Sequence, residues 1–275
     1  MTLSVNTNAG ALVALQNLNK TSAEMSVNQQ RINTGLAVSS AKDNGAIFAI
    51  AQNLRSDLSG LSAVKQSLDR ATSTVDVALA AGESISDLLI ELKSKAVAAS
   101  DSSLDTASRT AINDDFVSLR DQIITIVENA EFNGVNAIKN AGKDVTAITN
   151  DVGTSSITVA AQDLSLTGTN LAITAATQIN TATLASDAVT QLETSITNVN
   201  KALATLGTGS RSFTAQRTFT DKLADVIEIG IGSLVDADLA KESAKLQALQ
   251  VKQQLGAQAL AIANQAPGII VSLFG

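Results

Sequence analysis

The chain contains no cysteine, no histidine, no tryptophan and no tyrosine, and its one proline is Pro267. Without cysteine there are no disulfides and no thiolate metal sites. A cysteine-free chain is compatible with an extracellular life. Without histidine, the commonest general base, the usual metal ligand and the Ser-His-Asp triad are all excluded. Aromatic residues make up 2% of the chain, so a core built on large rings is excluded too. The hydrophobic content of 45% is largely alanine, spread along the chain as in long helices packed side by side. A single late proline leaves nothing to interrupt helices over the first 266 residues.

Charge is scarce and unevenly placed. The net charge is −7 and the pI about 4.6, with basic residues interleaved among acidic ones. That is the pattern of solvated helix faces, and it lacks the basic stripe that nucleic-acid binding needs. Residues 1–19 and 253–275 carry no charge at all. Leu12, Leu15 and Leu18 at the front, and Leu255, Leu260 and Ile262 at the back, lie at helical spacing. Such ends need a place to be buried: against each other in one chain, or together with the ends of many chains. Asn6, Asn8, Gln16 and Asn17 interrupt the front as a secretory signal. Gln253, Gln254, Gln258, Asn264, Gln265 and Pro267 interrupt the back as a membrane span. The final Ile269-Ile270-Val271-Ser272-Leu273-Phe274 is too apolar to be left in water, which favours burial on self-association.

Two heptad seams dominate the interior. Leu54, Leu61, Leu68, Val75 and Leu89 fall at seven-residue intervals with Gly82 the one gap, and Val64, Ala71, Ala78, Ile85 and Leu92 lie three positions on. Later, Leu192, Val199, Leu206, Phe213, Ile227 and Leu234 share a register with Thr220 as polar member. Ile196, Leu203, Ala224 and Ile231 occupy the complementary register with Ser210 and Arg217. The spacing predicts two long helices packed antiparallel, and Ala71, Ala78 and Gly82 are small enough to permit sliding at the seam. A third helix fits 104–129, capped by Ser102 or Ser103, with Ile112, Phe116, Leu119, Ile123, Ile126 and Val127 as its stripe. Asn133-Gly134 marks a turn. From about 141 to 185 the chain turns rich in Thr, Ser, Asn and Gly, and Ser156-Ile157-Thr158-Val159 alternates as a strand. The expected fold class is mainly α: long antiparallel coiled-coil helices folded back as a rod, with one or two β-hairpins inserted in the middle and capping its far end.

The motifs that suggest chemistry are weak. Gly230-Ile231-Gly232 lacks the third glycine and the preceding strand of a dinucleotide loop. Glu83, Asp87 and Glu91 share a helix face, and Asp114 and Asp115 are adjacent; without other catalytic groups nearby these read as solvated surface. Asn19-Lys20-Thr21 is a sequon by pattern only. The hydroxyls of Thr154, Ser155, Ser156, Thr158, Thr167 and Thr169 read as polar turns or as acceptors for O-glycosylation. The residues give no catalytic, metal or cofactor site.

Several stretches, in order, resemble bacterial flagellin. They are Ser4-Val5-Asn6-Thr7-Asn8 and Ala14-Leu15-Gln16-Asn17-Leu18; Thr34-Gly35-Leu36 followed by Ser40-Ala41-Lys42-Asp43; and Glu131-Phe132-Asn133-Gly134-Val135. Toward the back come Asp236-Ala237-Asp238, Gln253-Gln254-Leu255-Gly256, Ala263-Asn264-Gln265-Ala266-Pro267 and Ser272-Leu273. The resemblance covers about the first 140 and last 90 residues. It implies a short flagellin, a subunit of the flagellar filament that self-assembles into a helical homopolymer used for swimming. Residues 1–44 and 237–275 would form a terminal core layer, 45–140 and 186–236 a helical rod layer, and 141–185 a surface-facing variable segment. Assembly contacts would run through Leu3, Val5, Leu12, Leu15, Leu18, Leu255, Leu260, Ile262, Ile269, Ile270, Leu273 and Phe274.

The resemblance further implies export without a cleaved signal peptide through the flagellar export apparatus with a chaperone, an extracellular location, and contacts with a filament cap, hook-junction proteins and sister flagellins. No nucleic acid and no membrane insertion are implied. Ala37-Val38-Ser39 stand where many relatives carry Arg-Ile-Asn. Glu91 reverses the charge at one arginine position of the patch, Leu89 to Ala96 with Lys93, that the vertebrate innate receptor reads in enteric relatives. A hook–filament junction protein and a cytoplasmic helical adaptor are the rival readings.

Overall fold

A computed structural model describes residues 7–274, with side chains over 7–265. Two compact units divide it. The first combines Met1–Ser56 with Val226–Gly275, and the second is the continuous stretch Asp57–Asp225.

The first unit holds α1 (Ala9–Thr34) and α5 (Leu239–Phe274), which run antiparallel. Asn8 caps α1 by accepting from Ala11 N, and Gly35 ends it with φ 72°, a left-handed backbone that glycine adopts without cost. The chain then makes a short antiparallel bridge, Leu36 to Asp236, with Ala37 N donating to Val235 O at 2.7 Å and Ala237 N to Gly35 O at 2.8 Å. Val38, Ala51, Ile231 and Val235 are buried beneath it, with Ile47, Phe48, Leu54, Ile227 and Leu234 packed around. Apart from Val38, which lies in the segment before it, these come from the start of α2 (Gly45–Ala99) and the end of α4 (Ala182–Val235).

In the second unit the remaining lengths of α2 and α4 pair antiparallel through the predicted seams. Leu61, Leu68, Val75 and Leu89 of α2 are buried, as are Leu192, Val199, Leu206 and Phe213 of α4. A helix α3 (Thr106–Asn129) lays Phe116, Ile123 and Val127 into the same core. Its cap is not Ser102 or Ser103 but Asp105, whose Oδ1 accepts from Ser108 N at 3.0 Å. Ser103 instead donates both its N–H and its hydroxyl to Asp101 in the preceding turn.

The middle segment forms one hairpin, with β1 (Val145–Ile148) antiparallel to β2 (Ser156–Val159) in the register Val145 to Val159. It does not cap a far end. Its turn residue Asp151 lies against Gly60 of α2, Val159 lies against Gly209 of α4, and Leu164 reaches Gly82 of α2. Beyond β2 the chain is irregular but not loose. Ala172 N donates to Ser195 Oγ at 2.9 Å, Thr177 O accepts from Arg120 Nη1 at 2.9 Å, and Ile179 N donates to Asn113 Oδ1 at 2.8 Å. The physical reason is burial. Val145, Ala147, Val159, Leu164, Leu171, Ile173 and Ile179 are all in the core, so the segment must lie lengthwise on the helices to hide one face. The polar side chains of Asn113, Arg120 and Ser195, themselves buried, satisfy backbone groups that a sheet would otherwise pair.

Candidate assembly interface

The inner seam of the α1–α5 pair is thin. On α1 the positions turned from solvent include Ala11, Ala14, Leu18, Thr21, Ser22, Met25, Asn28, Arg31 and Ile32, and only Asn28 is fully buried. On α5 they are Leu246, Leu249, Gln253, Gly256, Leu260 and Ala263, and among the described side chains only Leu249 is buried. Gly256 lets Leu18 come close, and Ser22 and Gln253 meet across the seam at 3.5 Å. Near the base Arg31 Nη1 reaches Glu242 Oε1 at 3.3 Å, and Asn28 Nδ2 donates to the other oxygen of Glu242. Leu18, Met25, Leu246, Leu249 and Leu260 share this seam with alanine, glycine and polar side chains, so the apolar area it buries is modest.

Other large apolar side chains face the other way. Leu12 is 59% exposed, Leu255 57% and Ile262 69%; Leu15, Val13, Val27 and Val251 are exposed as well. Leu12, Leu15 and Leu260 line an open groove of about 370 Å³ with Thr7, Ala11 and Asn264. Of the two fates open to the apolar ends, the structure therefore takes neither alone. The ends pair within one chain, and Leu12, Leu15 and Leu255 remain uncovered. Of the predicted assembly residues, Leu18 turns to the inner seam, Leu260 is half-buried in the groove, and Leu12, Leu15, Leu255 and Ile262 face outward. Leu3 and Val5 lie outside the described residues, as do the side chains of Ile269, Ile270, Leu273 and Phe274.

No group of three or more Cys, His, Asp or Glu among the described residues is arranged to hold a metal, and no described helix is long and apolar enough to cross a membrane. Thr154, Ser155, Ser156, Thr158, Thr167 and Thr169 are all exposed. Thr158 Oγ1 shares a hydrogen bond with Thr146 Oγ1 at 3.0 Å, whereas Thr154 and Ser155 accept from Asn150 and Thr149 in the β1–β2 turn. Glu91 is exposed on α2, and Lys93 pairs with Glu193 of α4 at 2.9 Å. Sequence reasoning missed Asn8 and Glu242 as the polar contacts that hold the α1–α5 pair. A buried polar residue in a seam carries no periodic signal; Asn28, polar amid an apolar stripe, was the available clue.

Long paired helices with uncovered apolar ends define a helical subunit of a larger assembly. The comparisons give that class its family. The model of the bacterial flagellin N-terminal helical region matches residues 5–143, and that of the C-terminal helical region matches 189–274. Flagellin FljM of Caulobacter vibrioides is 52% identical over 271 residues, covering 98% of each chain, and flagellin FljK of the same bacterium is 51% identical over the same span. A flagellin of Brucella melitensis is 36% identical, covering 98% of this chain and 99% of its own. The chain belongs to the bacterial flagellin family. It is a short flagellin and a structural subunit of the flagellar filament, the extracellular polymer that flagellins form.

Among solved structures, the crystal structure of Bacillus cereus flagellin matches with a TM-score of 0.50 at 24% identity, over 56% of this chain and 88% of that one. A structure described as a flagellar hook-associated protein of Vibrio parahaemolyticus matches with a TM-score of 0.59 at 11% identity, over 70% of this chain and 100% of that one. At these identities the two likenesses speak to the fold alone.

Proposed function

We propose that the α1–α5 pair, residues 1–44 with 237–275, forms the inner layer of the filament. The helices of 45–140 and 186–236 form the next layer, and 141–185 faces outward. The observation that carries this reading is the outward set of Leu12, Leu15, Leu255 and Ile262, side chains a lone subunit leaves in water. Copies packed around a common axis cover them, so each added subunit gains burial that the free chain lacks. Burying one leucine stabilises by about 1.5–3 kcal/mol. Summed over several residues per subunit, this gives a polymer that grows above a threshold concentration.

In this reading the chain leaves the cell unfolded through the flagellar export apparatus, kept from premature assembly by a chaperone, and adds beneath a cap. No cleaved signal is needed on that route. The exposed hydroxyls at Thr154, Ser155, Ser156, Thr158, Thr167 and Thr169 stand on the outward segment, where O-glycosyl transfer meets no steric barrier. Glu91, with Lys93 engaged by Glu193, gives the α2 face a charge pattern that activates the vertebrate innate receptor weakly.

The experiment is seeded growth. Purified subunit is added to short sheared filament fragments and followed by electron microscopy. Long filaments extending from the seeds support the reading. Folded subunit that never extends them defeats it in favour of a hook-junction role.

A further inference from the structure

A heptad seam does not by itself fix how two helices are placed along each other, because a slip of seven residues restores apolar against apolar. In the second unit four polar pairs cross from α2 to α4. Lys65 Nζ meets Asp221 Oδ1 at 2.8 Å, and Arg217 Nε meets Asp69 Oδ1 at 2.5 Å. Ser210 Oγ meets Asp76 Oδ1 at 3.1 Å, and Lys93 Nζ meets Glu193 Oε1 at 2.9 Å. Each step up α2 is matched by an equal step down α4: from 65 to 69 as from 221 to 217, from 69 to 76 as from 217 to 210, and from 76 to 93 as from 210 to 193. All four therefore belong to one register. Individually, exposed pairs contribute little stability; together they discriminate between placements.

A steric feature selects the same register. Gly82 is the one gap in the α2 heptads, and Leu203 of α4 fills it: a Cβ added at Gly82 would lie 2.7 Å from Leu203 Cδ2. A slip of one heptad either way carries Leu203 to the level of Val75 or Leu89, both fully buried side chains with no room beside them. One slip also sets Asp76 opposite Leu203, and the other sets Asp69 opposite Ala224. The gap at Gly82 is thus a socket, and not the slack that small residues at a seam would provide.

We propose that the Gly82–Leu203 socket, with the four polar pairs around it, locks α2 and α4 of the second unit in a single register, so that any change of filament form occurs without axial sliding between them. The lock is a property of one chain and stands whether or not the layered assembly described above is correct. Because the chain has no cysteine, paired cysteines report placement without background.

Asp76→Cys with Ser210→Cys reports the observed register, and Glu83→Cys with Ser210→Cys reports a slip of one heptad. Asp76 and Glu83 are exposed, Ser210 is a polar member of its register, and none of the three belongs to the socket. Under mild oxidation the first pair should cross-link in nearly all chains, in the soluble subunit and in pelleted polymer alike. The second should link in fewer than about one chain in ten. Polymer grown from cross-linked Asp76→Cys, Ser210→Cys subunit should take the same forms across salt and pH as polymer of the unmodified chain. Comparable linking of the slipped pair, or a cross-linked polymer frozen in one form, would overturn the lock. If no polymer grows at all, the soluble arm still decides the register.

Discussion

Asn8 holds two helices at once. Its Oδ1 accepts from Ala11 N at 3.0 Å and caps α1, while its Nδ2 donates to the carbonyl oxygen of Ala263 in α5 at 2.6 Å. The acceptor is available for a covalent reason. Helix α5 continues through position 267, and Pro267 has no N–H with which to occupy the carbonyl four residues earlier. The proline frees an acceptor and the asparagine takes it. Replacing Asn8 with Ala removes both bonds, and Asn8→Asp keeps the cap but sets a carboxylate against a carbonyl. Loss of such a cap costs about 1 kcal/mol. Both variants should speed amide hydrogen exchange in residues 9–20 and 255–265 and leave the second unit's exchange unchanged. Equal protection in Asn8→Asp and the unmodified chain would deny the bond to Ala263.

Leu255 tests the outward face without touching a core. It is 57% exposed, so Leu255→Lys should shift the urea midpoint of the free subunit by no more than about 0.5 kcal/mol equivalent. On the proposed assembly surface, the polymer would bury a charge in place of a leucine. The threshold concentration for seeded growth should rise at least about tenfold, the equivalent of about 1.4 kcal/mol. Removing residues 253–275 should abolish growth and leave a soluble chain. Growth at the unmodified threshold in either variant would count against the terminal pair as the assembly surface.

The hairpin is held by glycine contacts. A Cβ at Gly209 would overlap both methyl groups of Val159, so Gly209→Ala should push β2 off α4. Overpacking of this kind costs about 1–3 kcal/mol. Limited proteolysis should then cut within 141–160 sooner than in the unmodified chain. Shortening Val159 to Ala in the same variant should restore part of the loss.

Stability should depend on pH only outside the neutral range. Hydrogen bonds from Ser39 and Ser40 hold the Asp43 carboxyl below its usual range. Bonds from Ser103 do the same for Asp101, bonds from Ser108 for Asp105, and the Lys65 ammonium for Asp221. A lowered pKa means the folded state favours the charged form, so the stabilisation is present above the unfolded value of about 3.9 and is lost as pH falls through the folded one. Lys95, raised by Asp115, contributes below about 10.4 and loses that contribution as pH climbs through its folded value. With no histidine and no cysteine, no side chain ordinarily titrates between these limits. Melting temperature should be flat from about pH 5.5 to 8.5 and fall below about pH 4. Asp43→Asn should flatten part of that acid slope.

The heptad seams are legible because their signal repeats. Leu61, Leu68, Val75 and Leu89 announce one face of α2, and Leu192 to Phe213 announce its partner. The middle segment is legible only in half. Its turns at Asp151-Val152-Gly153 and Thr167-Gly168 follow from composition, but its course along the helices depends on Gly60, Gly82 and Gly209, whose meaning lies in what approaches them. The thin α1–α5 seam is misleading in sequence for a related reason. Leu12, Leu15 and Leu18 share one helical spacing, yet only Leu18 turns to the seam with Ala11 and Ala14, and Leu12 and Leu15 face solvent. Leucine spacing names a face but not what the face meets.

The two units also differ in when they can exist. The second is one uninterrupted stretch of chain, Asp57–Asp225, whereas the first needs residues from both ends. A chain delivered front end first can complete the second unit while its opening helix still waits for a partner not yet delivered. The α1–α5 pair is then the last thing to form, and the arrival of the final residues serves as the clock that permits it.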